Sequence, residues 1–120
     1  MFAKLRFMSD ELPILTRVYE IDKSLDSIND KLPKPKRYGL GTSTEQTVLA
    51  LLEQLLMAKH APKSHKAAYL LRAQAQLETL RFKLRLYLEL QLVNETRIMQ
   101  TQARLQEIGR MLGGWLKSLT

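Results

Sequence analysis

The sequence predicts an all-α protein, an antiparallel up-down-up-down four-helix bundle, and three observations lead there. The 120 residues hold only five Gly and four Pro, and leucine, a strong helix former, dominates a chain that is 45% hydrophobic. Apolar residues recur every three or four positions in four segments, the period of one buried helix face, and the links between segments are short. The third observation is Leu80–Leu92, LRFKLRLYLELQL, in which every even position is apolar. Alternation marks a half-buried strand. Yet Leu, Arg, Lys, Glu and Gln favour helix, this stretch has no β-branched residue, and no Gly, Pro or Asn lies between Lys66 and Val93. On a helix, at about 100° per residue, Leu80, Leu84 and Leu88 form one stripe. Phe82, Leu86 and Leu90 form a second on the far side. A helix apolar on two sides needs cover on two sides. Its own bundle supplies one, and a second copy of the chain is expected to supply the other.

Residues 1–8 read as a flexible N-terminal segment and 9–120 as the bundle, with helices at about 10–31, 43–60, 63–92 and 95–118. Ser9 and Asp10 are cap-type residues, and Pro13 suits a first turn. Val18, Ile21, Leu25, Ile28 and Leu32 form the inward face of the first helix. Asp22, Asp26 and Asp30 line an outer flank, where like charges at this spacing repel by a few tenths of a kcal/mol per pair unless a basic partner faces them. Pro33 and Pro35 end that helix, and Leu32–Thr42 reads as a loop in which Gly39 and Gly41 permit positive φ. Ser43, with Gln46 three residues on, makes a capping box for the second helix. Its apolar positions are Val48, Leu49, Leu52, Leu55 and Leu56, and it stops near His60, before Pro62. In the third helix Leu70, Ala73, Leu77, Leu80, Leu84 and Leu88 face the bundle. Asn94 and Glu95 form the cap and first turn of the fourth, where Ile98, Leu105, Ile108, Leu112 and Trp115 point inward. Gly109 and Gly113 lie four apart on one side of it. Each is less favourable there than Ala by roughly 0.5–1 kcal/mol, so close backbone approach is expected.

The net charge of +7 is unevenly spread. From Asp10 to Asp30 six acids face only Arg17 and Lys23; from Lys31 to Arg37 there are four bases and no acid; from Lys63 to Leu92 six bases face Glu78 and Glu89. A basic face attracts polyanions, nucleic acid first. The absence of Cys excludes disulfides and thiolate chemistry and is compatible with a cytoplasmic setting. No apolar run approaches the roughly 18 residues of a membrane span, and the N-terminus has no signal-peptide pattern.

No catalytic constellation is visible, so a non-enzymatic role without metal or cofactor is expected. His60 and His65 are five apart with Pro62 between them, not the spacing of two helical metal ligands. No Glu-x-x-His motif, phosphate-cradling loop or activated nucleophile appears. The bases most available to a polyanion are Lys34, Lys36 and Arg37 in the loop, and Lys63, Lys66, Arg72, Arg81, Lys83 and Arg85 on the third helix. Arg81 and Arg85 serve either ion pairing within their own helix, with Glu78 and Glu89, or contact with phosphate or a neighbouring subunit. Lys83 falls on an opposite, exposed flank. No aromatic platform is interleaved with these bases, so phosphate contact without base readout is expected. The expected oligomer interface is Phe82, Leu86 and Leu90, with Asp22 and Asp26 abutting the basic flank of another copy.

Three motifs, PKPKRYGLG (Pro33 to Gly41), LRFKLRL (Leu80 to Leu86) and EIGRMLGGWLKS (Glu107 to Ser118), resemble the Avd-like four-helix-bundle proteins. The resemblance runs from about Pro13 to Ser118. The family includes the accessory protein of diversity-generating retroelements and related proteins encoded in intervening sequences of ribosomal RNA genes. What the resemblance implies is a homopentameric ring of bundles with a basic exterior, which binds RNA and possibly DNA and partners a reverse transcriptase. The alternative it leaves open is a structural homo-oligomer of the intervening-sequence type, with no reverse transcriptase partner.

Overall fold

The computed structural model describes residues 12–120; the expected flexible segment 1–8 and the cap residues Ser9 and Asp10 lie outside them. The described residues form four helices and no strand: α1 (Pro13–Asn29), α2 (Thr42–His60), α3 (Lys63–Glu89) and α4 (Glu95–Ser118). Pro13 opens α1, where its missing N–H is no loss. Asn94 caps α4 by accepting from the Thr96 N–H at 2.8 Å.

The segment before α2 departs from expectation. It is not a loop. Lys34–Lys36 form a helical turn, Arg37–Gly41 a π-helical turn, and both run into α2 without a break. Pro33 stands as the N-cap and Pro35 in the first turn, so the two prolines start a helix as well as ending one. The π-turn is closed by the Thr42 N–H donating back to the Arg37 carbonyl. Neither Gly39 nor Gly41 has positive φ. Ser43 therefore lies inside helical backbone, and no capping box forms there.

The helices pack in a ring: α1 against α2 and α4, and α3 against α2 and α4. Residue pairs along the α2–α3 and α1–α4 seams run in opposite order. Lys66 meets Ala58 while Lys83 meets Ser43; Arg17 meets Glu107 while Ser27 meets Arg97. All five expected inward residues of the first helix are buried. In α2 the buried apolar set is Val48, Leu51, Leu55 and Ala58, whereas Leu49 and Leu56 are exposed. Tyr87 takes a core position in α3, and Leu88 packs at its edge.

The end of α3 comes earlier than the apolar pattern implies. Gln91, at φ 52°, is left-handed. The Leu92 N–H reaches the Tyr87 carbonyl at 3.1 Å and the Gln91 N–H the Leu88 carbonyl at 3.1 Å, which together make a Schellman turn. At the other end the link to α2 is only Ala61 and Pro62. There the Lys66 ammonium donates to the Ala58 and Lys59 carbonyls at 2.7 and 3.0 Å and caps the C-terminus of α2.

The glycines of α4 do not mark a tight seam within one chain. A Cβ at Gly109 would lie 3.5 Å from Leu77, an ordinary contact, and one at Gly113 would meet nothing. Gly41 is the position that needs its hydrogen. A Cβ there would fall 3.2 Å from Asn29 and 3.3 Å from Leu32. Asn29 is buried and held by two hydrogen bonds, so it has little room to give. Gly41→Ala is expected to lower the thermal midpoint despite its better helix propensity. Gly39→Ala, which meets open space, should raise stability by about 0.5–1 kcal/mol. Melting both variants by circular dichroism checks the opposite signs.

Candidate nucleic-acid interface

The nine bases expected to face a polyanion do not form one patch. Lys34, Lys36 and Arg37 sit at the α1–α2 corner, and Lys63, Lys66 and Arg72 belong to the opposite end. The 27 residues of α3 separate the two ends by about 40 Å at 1.5 Å per residue. Arg81, Lys83 and Arg85 lie toward the C-terminal part of α3.

Three of the nine are engaged inside the fold. The Arg37 guanidinium donates to the Asp30 and Leu32 carbonyls at 2.8 and 3.4 Å and staples the end of α1 to the next helix. Lys66 caps α2, as described. Lys83 is not on an exposed flank: its ammonium donates to the Ser43 carbonyl at 3.1 Å, the Ser43 Oγ at 2.7 Å and the Thr47 Oγ1 at 2.7 Å. An ammonium has three N–H groups, and all three are used on α2. The signal was present in the sequence as two hydroxyl residues four apart, but nothing local tied them to Lys83.

The others face water to different degrees. Lys34, Lys36 and Lys63 are exposed and pair with no carboxylate among the described residues. Arg72 lies over the Tyr69 ring at 5.5 Å. Arg85 pairs with Glu89 at 2.9 Å, as the spacing predicts, whereas Glu78 forms no ion pair with Arg81. Arg81 instead lines an open groove of about 500 Å³ between α3 and α4, with Glu78, Phe82, Arg85 and Gln102. The groove continues past Gln106, Gly109 and Arg110.

The second apolar stripe stands in water. Phe82 is 66% exposed, Leu86 43% and Leu90 47%. On the opposite seam, α1 and α2 carry acid. Burial raises the pKa of Asp22, and Asp26 adds to the shift. Burial likewise raises that of Glu45, with Asp26 and Asp22 adding to it and a hydrogen bond to Asn29 opposing it. No base forms an ion pair with these acids among the described residues. Exposed Leu49 and Leu56 share the Glu45 side of α2, four and eleven residues on, which at about 100° per residue brings them back to nearly the same face. Among the described residues no group of His, Asp and Glu is arranged to hold a metal.

A family model described as bAvd-like matches residues 14–119. The chain belongs to the bAvd-like family. No curated protein matches its sequence. The match takes in all four helices but for the first residue of α1, and with them the π-turn, so PKPKRYGLG belongs to the family region as helix and not as loop. Within this bAvd-like chain sequence reasoning missed one aromatic among the bases. Tyr38 follows Lys36 and Arg37 directly and is 69% exposed. No helix of the described residues is long and apolar enough to cross a membrane.

The division between engaged and free bases has a direct consequence. Lys83→Met leaves the Ser43 and Thr47 hydroxyls without their donor and should cost about 1–3 kcal/mol of stability. Lys36→Met should change stability by less than about 0.5 kcal/mol. Urea unfolding of both variants measures the difference; equal effects would place Lys83 in solvent.

Proposed function

We propose that the chain is a non-enzymatic, nucleic-acid-binding accessory protein of a diversity-generating retroelement, acting in the cytoplasm beside a reverse transcriptase and its template RNA. The observation that carries this reading is membership of the bAvd-like family over nearly the whole described chain. The charge distribution supports it: the free bases Lys31, Lys34, Lys36 and Lys63 and the arginines of α3 and α4 give a surface suited to phosphate. No base-reading motif accompanies them, so template choice falls to the reverse transcriptase.

The same reading holds that the bundle is antiparallel and assembles into a homopentameric ring. Two opposite faces support this. The α1–α2 seam carries Asp22, Asp26 and Glu45 beside exposed Leu49 and Leu56; the α3–α4 seam carries Arg81, Arg85 and Arg110 beside Phe82, Leu86 and Leu90. Faces that complement each other across one molecule join copies head to tail, and such contacts close into rings. A structural homo-oligomer of the ribosomal-intervening-sequence type, without a reverse transcriptase, is the second reading. It is favoured by the internal use of Arg37, Lys66 and Lys83, which reduces the charge left for RNA.

One set of measurements addresses both. The wild type should scatter light as an oligomer. Phe82→Asp with Leu86→Asp should lower the mass while leaving helical circular dichroism intact, since burial of a Phe or Leu contributes roughly 1.5–3 kcal/mol. Labelled RNA should shift with the wild type, and the logarithm of affinity should fall with that of salt by close to one unit per phosphate neutralised. Lys34→Glu with Lys36→Glu should flatten that slope without changing the mass. An oligomer that binds no RNA at about 50 mM salt supports the structural reading.

A further inference from the structure

Tyr38 is the most exposed large apolar side chain among the described residues. Among the described residues its hydroxyl makes no hydrogen bond, and its ring is not part of the buried core. The backbone beneath it is nonetheless tightly held. The Arg37 guanidinium is tied to α1, the Thr42 Oγ1 donates to the Arg37 carbonyl at 3.1 Å, and the Thr44 Oγ1 donates to the Leu40 carbonyl at 2.7 Å. The Gly41 carbonyl accepts from Asn29 at 3.1 Å. The fold thus fixes the turn and leaves the ring in water. Lys31, Lys34 and Lys36 surround the same corner, all exposed and none in an ion pair among the described residues. Lys34 is about one helical turn from Tyr38.

We propose that Tyr38 is a base-stacking platform and that, with Lys31, Lys34 and Lys36, it makes a site for single-stranded RNA at the α1–α2 corner. This rests on the nucleic-acid-binding reading and narrows it to one surface and one kind of strand. The lysines complement phosphate, and a flat exposed ring complements the face of an unpaired base. A duplex offers no such face, because its bases are stacked on one another. The pre-formed turn lowers the ordering cost of binding. Any base stacks, so the site selects unpaired strand without selecting sequence.

The test compares the wild type with Tyr38→Ala and Tyr38→Phe on a labelled single strand of about ten nucleotides, on the same sequence as DNA, and on duplex RNA. Tyr38→Ala should lose at least about 5-fold in affinity for the single strands, the lower end of what one stacked base contributes. Its salt slope should stay that of the wild type, because no phosphate contact is removed. Tyr38→Phe should bind as the wild type does, and duplex binding should change little. Equal loss on RNA and DNA single strands marks recognition of the base alone; a larger loss on RNA adds a contact to the ribose hydroxyl. Unchanged single-strand affinity in Tyr38→Ala overturns the platform while leaving RNA binding in place, and so does an equal loss on duplex or a fall in oligomer mass. A wild type that binds no RNA overturns the functional reading itself.

Discussion

Asn29 joins three helices through one side chain. Its amide donates to the Gly41 carbonyl at 3.1 Å, and its carbonyl oxygen accepts the Tyr87 hydroxyl at 2.6 Å. The residue is buried at the end of α1, Gly41 closes the π-turn before α2, and Tyr87 lies in the last turns of α3. Buried polar groups left unpaired cost about 1–3 kcal/mol each, so each of the three partners constrains the other two. Close approach is what makes the arrangement possible, and the hydrogen of Gly41 permits it. Burial raises the pKa of Tyr87, so its hydroxyl stays protonated and able to donate.

From this corner the division of the basic residues follows. A helical turn at 34–41, in place of a loop, carries Arg37 back onto the carbonyls that end α1. It sets Ser43 and Thr47 one turn apart, where the Lys83 ammonium reaches both. Lys31, Lys34, Lys36 and Tyr38 remain on the outside of a rigid turn. The fold therefore uses some cations to close its helix ends and seams and leaves others to a partner, and composition alone does not separate the two kinds.

Much of the framework was legible in the sequence. The 3-4-3-4 spacing from Val18 to Leu32 marked the buried face of α1, Asn94 marked the start of α4, and the Arg85–Glu89 pair lay at helical spacing. The alternation in Leu80–Leu92 correctly implied an apolar stripe left exposed by the single chain. What was not legible depends on contacts between residues far apart. Asn29 and Tyr87 are 58 residues apart, and Lys83 and Ser43 are 40 apart. The Pro33–Pro35 pair is compatible with either a break or a helix start, and the contacts that hold the turn, among them Gly41 on Asn29 and Arg37 on the Asp30 carbonyl, tie it back to the end of α1. Leu49 and Leu56 count among the apolar positions of the second helix, whereas the helix turns Leu51 and Ala58 inward and leaves those two exposed.

The claim that Asn29 couples the corner is tested most directly by a double-mutant cycle. Asn29→Ala, Tyr87→Phe and the double variant are unfolded in urea and compared with the wild type. Contact through a buried hydrogen bond predicts a coupling energy within the range of about 0.5–3 kcal/mol seen for residues sharing a network, with the single variants each destabilised. Strict additivity of the two single changes would contradict the account, because it would mean that α1 and α3 meet there without depending on each other.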